Sequence, residues 1–312
     1  MDMKHCLLRR LLGLVPLLLG ISFLSFVLIQ LSPGDPAEVV IRVNDMTPTP
    51  ELLAEVRTQL GLDRPFPERY LRWLADVLRG DLGMSYVNGR PVAGELARAL
   101  PPTLMLAGTA AAIMLVCSLA VALVCVRHEG RVVDRLLRAL LFLGTSVPAF
   151  WAGLLLIWLF SVHLDWLPTG GLEGPSSLVL PAVTLALPYL AAYARLLRNS
   201  MVQTAQEDFV LYARACGRSR GAILRMVLRN SLQASLTALG MSLPKLVAGS
   251  FVVECIFAWP GLGRLCVTAI FNRDLPVIQA YVLLVGVLFV FFNLFFDILQ
   301  YVADPRLRER KA

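Results

Sequence analysis

The chain has 312 residues, of which 57% are hydrophobic and only 16% charged, whereas a soluble domain of this length carries roughly a quarter charged residues. Several apolar runs exceed the ~18 residues that indicate a membrane span, so the sequence predicts an all-α, multi-span membrane protein and argues against a sheet-based fold. The net charge of +7 does not indicate nucleic-acid binding, because basic residues of membrane proteins collect on the cytoplasmic side for topological reasons.

The N-terminal segment is predicted to be a retained membrane span rather than a cleaved signal peptide. Basic residues in 1–10 precede an apolar run at 11–31, which is longer than the apolar core of a signal peptide and is followed by no clear cleavage site. The six cysteines are scattered and include no CxxC pair, so they indicate neither a disulfide framework nor a zinc site.

Residues 32–100 form the one long segment on the far side of the membrane, and they predict short amphipathic helices. Asp35 is expected to cap a helix that starts at Pro36, with Glu38 completing a capping box. Thr49 is expected to cap a second helix. Neither helix has a large core of its own, so both are expected to pack on the membrane domain or on a partner.

A third helix is expected from Pro67 to Gly80, ahead of a turn-rich connection at 80–92. One apolar stripe runs along it, made of Tyr70, Leu74, Val77 and Leu78. This stripe is the face that the helix is predicted to bury.

Five further spans are predicted in the region 101–300, which is expected to form the transmembrane core. Pro148 is expected to kink the second of these spans, and the third is short and holds Pro181 and Pro188. The approximate bounds of the five are 101–126, 139–162, 178–194, 232–257 and 276–301, and a basic tail occupies 301–312.

A polar interruption at 195–230 separates the third and fourth of these spans. It holds seven arginines against two acidic residues, and small residues stand in its middle at Ala213, Ala215 and Gly217. A basic, helical loop of this length between membrane spans is expected to be presented to a partner in the cytoplasm.

The distribution of basic residues predicts the topology. With both termini in the cytoplasm, the inner segments hold 18 lysines and arginines, while the two short outer loops hold 2. The long outer segment 32–100 holds 8, but long segments follow the charge bias less closely. Six spans with both termini in the cytoplasm are therefore predicted.

The sequence offers little for catalysis. The absence of a Gly-Lys dipeptide excludes a phosphate-binding P-loop, and the single GxSxG, at 217–221, lies in an arginine-rich helical loop rather than after a strand. The three histidines do not lie deep in any predicted span, so they do not form a proton relay across the membrane. The chain is not expected to be an enzyme or to bind a cofactor.

Ionisable groups inside the predicted spans are candidates for a transport pathway. Lys245 and Glu254 lie in the predicted span 232–257, and Asp297 lies in the predicted span 276–301. Lys245 and Glu254 are separated by about 900° of helix rotation and about 13 Å, so they cannot pair with each other on a straight helix. Each either lines a solute path or is neutralised by a neighbouring helix or the membrane interface.

The segment that follows the predicted span 232–257 combines helix breakers with apolar residues. Pro260 and Gly261 interrupt the helix, while Trp259 remains apolar. Two interpretations stay open, a segment that folds back over the mouth between helices and an ordinary interfacial turn. Trp259, Pro260 and Gly261 join Lys245 and Glu254 as candidate pathway or gate residues.

Taken together, ordered motifs along essentially the whole chain resemble the permease subunits of ABC importers, in the dipeptide/oligopeptide/nickel branch. The motifs are LSPGDP (31–36), GDLGMS (80–85), SVPAFWAGLLL (146–156), WLPTGG (166–171), ARLLRNSM (194–201), EDFVLYARACG (207–217), FAWPGLGRL (257–265), NRDLPVIQ (272–279) and DPRLR (304–308). The resemblance implies a type I importer permease of the bacterial inner membrane, with six transmembrane helices and a cytoplasmic coupling loop.

The resemblance also implies a role for the polar interruption. Its small residues and glycine are expected to form a short coupling helix and turn that dock in a cleft of an ATPase subunit. The implied coupling residues are Glu207, Asp208, Phe209, Tyr212, Ala213, Arg214, Ala215 and Gly217. Two positions depart from the family pattern, Leu211 where an acidic residue is common and Gln233 where a proline is expected.

The partners that the resemblance implies are a second permease, two ATP-binding subunits, an outer solute-binding protein and the lipid bilayer. The runs at 256–264 and 269–274 look most like nickel-type permeases, with nickel crossing as a chelate because the spans offer no cluster of metal ligands. Uptake of di- or oligopeptides is the alternative. A proton- or sodium-coupled secondary transporter is the alternative of another class, and a membrane enzyme has no reaction centre in its favour.

Overall fold

The computed structural model describes residues 3–31, 35–43 and 46–303, with side chains described except at 3–12, 28–29, 233–241, 243, 297 and 300–303. The motif residues 32–34, the tail 304–312 and the side chains of Gln233 and Asp297 therefore lie outside the described residues. In the described part, twelve α-helices account for nearly all regular structure: α1 Met3–Gln30, α2 Pro36–Val43, α3 Pro50–Gln59, α4 Phe66–Leu78, α5 Val92–Arg127, α6 Val132–Ser146, α7 Ala149–Leu156, α8 Val179–Ala205, α9 Asp208–Ala215, α10 Arg220–Ile256, α11 Leu262–Phe271 and α12 Leu275–Ala303.

The chain forms two compact units. The first comprises the described residues of 1–102 and 260–290, and the second those of 103–259 and 291–312. The boundaries fall within α5 and α12, so each of these helices contributes to both units.

The first unit contains the short helices that the outer segment predicts. Thr49 caps α3 by accepting a hydrogen bond from the Leu52 amide, and Asp35 caps α2 by accepting one from the Ala37 amide at 3.1 Å. The capping box is wrong in one respect, because Glu38 pairs with Arg42 one turn along α2. Short-range caps are therefore the most predictable part of this unit.

Helix α4 packs on α1 through aromatic rings. Phe66 and Tyr70 lie edge-on to Phe26, and the Tyr70 hydroxyl is hydrogen-bonded to Ser22 on α1 at 2.9 Å. The predicted stripe is wrong at its end, because Leu78 is 80% exposed. Contacts between aromatic rings therefore determine which face of α4 is turned toward α1.

After α10 the chain makes a non-helical turn at 257–261, which contains Pro260 and Gly261, and then forms helix α11. Helix α11 buries Leu262 and Ala269 in a cluster with residues from the starts of α5 and α12. It ends at Phe271, Arg273 in the following turn adopts a positive φ of 55°, and α12 begins at Leu275.

In the second unit, the predicted kink at Pro148 is a break. Helix α6 and the helical segment 149–163 meet at an angle of 104°, because Val147 and Pro148 both adopt extended backbone conformations. A residue before proline is disfavoured in helix, so two extended residues in succession redirect the chain. Beyond α7 the backbone continues as a π-helical segment, Ile157–His163, a form that is rare over this length.

Most of the polar interruption at 195–230 is helical. Helix α8 continues to Ala205 rather than ending near 194, and α10 already begins at Arg220. The segment 195–205 is polar but contains neither glycine nor proline, so nothing in it stops a helix that is already formed. Only residues 206–219 connect the two long helices.

By length and apolar composition, three helical segments in the described part can cross a membrane, with bounds Val92–Arg127, Pro175–Ala205 and Leu275–Phe296. The bent pair 132–163 makes a fourth if it counts as one span, and α1 contains the shorter apolar stretch Gly13–Val27. The total of six spans stays a prediction.

Candidate functional site

Helix α9 stands between the two longest helices of the second unit and has one buried face. Its side chains at Val210 and Ala213, three residues apart, are 0% and 6% exposed. This spacing places both on the same side of a helix, and that side is held against the rest of the unit. Ala213, which the sequence places among the docking residues, is thus one of the two residues that anchor α9.

The opposite face of α9 is exposed and partly apolar. Phe209 is 39% exposed, Leu211 54% and Tyr212 74%. A short helix that shows three large apolar side chains next to charged residues has the composition of a docking surface. The other predicted coupling residues on the exposed side are Glu207, Asp208, Arg214, Ala215 and Gly217.

Gly217 ends α9 in a Schellman motif. The Arg218 amide donates to the Ala213 carbonyl at 3.1 Å and the Gly217 amide to the Arg214 carbonyl at 3.0 Å, with Gly217 at φ +70°. Ser219 then caps α10 through the Ala222 amide. The two glycines of the GxSxG sequence therefore belong to a helix end and a helix start.

A buried ion pair joins α6 to α8 in the same unit. Asp134 is 0% exposed and accepts two hydrogen bonds from Arg198, at 2.9 Å from Nε and 2.8 Å from Nη2. The Gly130 amide and the Arg138 guanidinium lie near the same carboxylate, at 3.3 and 3.6 Å. Sequence reasoning did not identify this pair, although an acidic residue in a short loop with four arginines was a signal for it.

At the far end of α10, Glu254 is buried rather than interfacial. It is 0% exposed and accepts hydrogen bonds from Thr103 at 2.8 Å and from Ser250 at 2.9 Å. Its backbone carbonyl accepts from the amide of Trp259, which is also 0% exposed, across the helix end at Ala258. The structure thus brings Glu254 and Trp259 together.

The loop before α8 closes on the same helix end. The Gly171 amide donates to the Phe257 carbonyl at 2.8 Å, and a Cβ added at Gly170 would lie only 2.2 Å from that carbonyl oxygen. Gly170 is therefore required by a close approach of two backbones, whereas Gly171 is favoured by its positive φ of 85°.

The remaining gate candidates lie in different surroundings. Lys245 is exposed, and its backbone carbonyl accepts a hydrogen bond from the Tyr189 hydroxyl at 3.1 Å. Pro260 is exposed, while Gly261 is buried and caps α11. The structure does not bring Lys245 together with Glu254, in agreement with the spacing of the two residues along α10.

In the first unit, Asp274 fixes the turn-rich connection before α5. The carboxylate, on a residue only 4% exposed, accepts hydrogen bonds from the Ser85 hydroxyl and, at 3.0 Å, from the Tyr86 amide. The motifs GDLGMS and NRDLPVIQ, nearly two hundred residues apart, thus form one structural element. Nothing in either motif alone predicted this contact.

Two family models match the chain. The model described as the binding-protein-dependent transport system inner membrane component matches residues 114–309, and its N-terminal companion matches residues 3–107.

Curated relatives match over nearly the full length. The metal-staphylopine import system permease protein CntB of Staphylococcus aureus (strain NCTC 8325 / PS 47) is 39% identical over 305 residues, covering 97% of this chain and 98% of the relative. The glutathione transport system permease protein GsiC of Escherichia coli (strain K12) is 39% identical over 307 residues, covering 98% and 99%.

Solved structures share the fold. Inward-facing forms of the MetNI methionine ABC transporter match with a TM-score of 0.57 and 19% identity, over 67% of this chain and 96% of the matched chain. An amino acid ABC transporter with histidines matches with a TM-score of 0.54 and 17% identity, over 67% and 94%.

Proposed function

This chain belongs to the family of inner membrane components of binding-protein-dependent transport systems, and we propose that it forms, with a second permease, the path by which a metal chelate enters the cell. It is a permease subunit of an ABC importer and a transport component rather than an enzyme. ATP hydrolysis is expected on two partner subunits at the cytoplasmic face. A solute-binding protein is expected to deliver the cargo from outside, and both termini are expected in the cytoplasm.

The proposed coupling role rests on one observation: α9 is a separate short helix between the long helices α8 and α10. The helix is anchored by one face, exposes Phe209, Leu211 and Tyr212 on the other, and ends in hydrogen-bonded turns. A force applied to that exposed face therefore reaches both long helices without a flexible linker in between. Energy released on an ATPase subunit would reach the membrane by this route.

Nickel bound to an organic chelator is the cargo we propose, because a relative at 39% identity is named for metal-staphylopine import. The runner-up is a small peptide, since a relative of the same identity is named for glutathione transport. Both cargoes are small polar molecules, and glutathione carries carboxylates. The secondary-transporter alternative has no support from the family to which the chain belongs.

The test is reconstitution of the chain with its partner subunits in proteoliposomes. We expect Gly217→Glu and Tyr212→Ala to abolish or strongly reduce ATP-driven uptake while the protein still inserts. Gln203→Ala, an exposed change at the end of α8, serves as the control and should transport normally. Normal uptake by both α9 variants would show that α9 is not the coupling element.

Cargo is decided by ATPase stimulation in the same complex. Binding protein loaded with a nickel chelate should stimulate hydrolysis more than binding protein loaded with glutathione or a dipeptide. The reverse order would replace the nickel proposal with the peptide alternative and leave the coupling role intact.

A further inference from the structure

The first unit contains a cavity of about 720 Å³, within the range of ~300–1,000 Å³ that is typical of small-molecule sites. Its lining comes from α1, the start of α2, helices α3 and α4 with the turn between them, the connection before α5 and the start of α12. Four arginines and three aspartates contribute to the lining, together with Trp73 and Tyr86. The site is thus polar and charged, unlike the apolar core around it.

Three of the four arginines are already paired. Arg57 lies 2.7 Å from Asp35, and Arg64 and Arg72 lie 3.5 and 2.9 Å from Glu68. Within the part of the chain that the structure describes, Arg69 forms no ion pair, and its side chain is half-buried in the cavity wall. A guanidinium in this position presents donors to whatever enters the cavity.

Gln279 supplies a second, independent sign of a ligand. It lies one turn into α12, is only 7% exposed and lines the cavity, yet its Nε2 has no hydrogen-bond partner among the described residues. A buried amide donor left unpaired costs about 1–3 kcal/mol. An acceptor oxygen placed in the cavity would satisfy it.

Tyr86 adds a third donor. Burial and the neighbouring Asp274 carboxylate raise the pKa of Tyr86, while Arg69 opposes the shift. The phenol therefore keeps its proton at neutral pH and can donate to an acceptor. Unpaired guanidinium, amide and phenol groups together favour a carboxylate, whose two oxygens accept several hydrogen bonds at once.

We propose that this cavity binds a small, carboxylate-bearing zwitterionic solute, held at its carboxylate by Arg69 and Gln279. Asp63 and Asp76 in the same lining favour a zwitterion over a phosphate, because Asp63 has no arginine partner among the described residues and Asp76 has only a 3.7 Å pair with Arg79. A ligand ammonium fits beside them, whereas a doubly negative phosphate is repelled. The inference rests on the proposed function and adds an accessory site for the same class of cargo.

The probe for the experiment is glutathione, which carries two carboxylates and one ammonium, and the matched control ligand is its dimethyl ester. Binding is measured by calorimetry on the assembled transporter in nanodiscs, without the binding protein. We expect the ester, and the variants Arg69→Gln and Gln279→Leu, to bind about tenfold more weakly or worse. Arg98→Gln, on α5, removes an arginine that pairs with Glu95, and since both residues lie outside the cavity lining it should bind like the parent chain.

Trp73 reports the location, since it lines the cavity. Glutathione should change tryptophan emission in the parent chain, and Trp73→Phe should remove that change. Arg69→Gln removes a side chain without an ion-pair partner, so it tests the site without depending on the stability of Gln279→Leu.

The proposal is overturned if the parent chain does not bind glutathione, if both variants bind it like the parent, or if a co-purified phospholipid is found to occupy the cavity. Uptake is measured in parallel with the same variants. If the parent complex takes up cargo and the site variants behave like the parent, only the accessory site is refuted. If the parent complex transports neither chelate nor peptide, the proposed function itself is refuted.

Discussion

The ion pair between Asp134 and Arg198 gives the sharpest stability prediction. The carboxylate is completely buried and Arg198 is only 13% exposed, so neither group is solvated well in the folded state. Replacing Arg198 by methionine keeps the aliphatic packing and leaves the Asp134 charge with weaker neighbours, the Gly130 amide, the Arg138 guanidinium and the Cys125 thiol.

Removing one partner of a buried pair costs about 3–5 kcal/mol, and the remaining neighbours of Asp134 place Arg198→Met near the lower end, at about 3 kcal/mol. Arg195→Met, an exposed change one turn earlier on α8, should cost within about 0.5 kcal/mol. Removing both charges with Asp134→Leu and Arg198→Met should recover much of the loss, for a coupling of about 2–3 kcal/mol.

The measurement is reversible unfolding in detergent micelles, followed by helical circular dichroism, for the parent, the two single variants, the double variant and the control. A cost for Arg198→Met that matches Arg195→Met would refute the reasoning. So would strictly additive effects of the two substitutions, since the pair would then contribute nothing as a pair.

Two backbone predictions follow from α10 and the loop against it. Gly170→Ala puts a Cβ 2.2 Å from the Phe257 carbonyl, so the loop must shift and stability should fall by about 3 kcal/mol or more, whereas Gly174→Ala, with no atom within 4 Å, should be nearly neutral. Ala258 adopts a φ of +48°, so Ala258→Gly should stabilise by up to about 1 kcal/mol, while Ala248→Gly inside the helix should destabilise by a similar amount. Thermal unfolding of the four variants checks both, and equal effects within either pair would contradict the backbone argument.

The features that the sequence predicted well are those set by neighbours along the chain. Thr49 and Asp35 cap helices because a side-chain oxygen needs only an amide two or three residues away. Gly217 ends α9 because a positive φ is inexpensive only for glycine. The family resemblance was recognisable for a similar reason, since it rests on short motifs that follow one another in order along the chain.

The features that were missed depend on tertiary structure. The end of α8 at Ala205 was missed because no glycine or proline in 195–205 marks where the helix stops. The burial of Glu254 depends on Thr103, which is 151 residues away. No periodic pattern reports such a contact, so Glu254 looked interfacial from its position alone.

The length of α10 has a mechanical consequence. Its 37 residues make a rod of about 55 Å, so a tilt of about 5° at the Arg220 end moves the opposite end by about 5 Å. Pro244 lies two-thirds of the way along and cannot donate the hydrogen bond that would stiffen the rod there. Pro244 thus divides the rod into two segments, and bending at that point would let the segment next to α9 tilt while the segment that carries Glu254 moves less than it would on a straight rod.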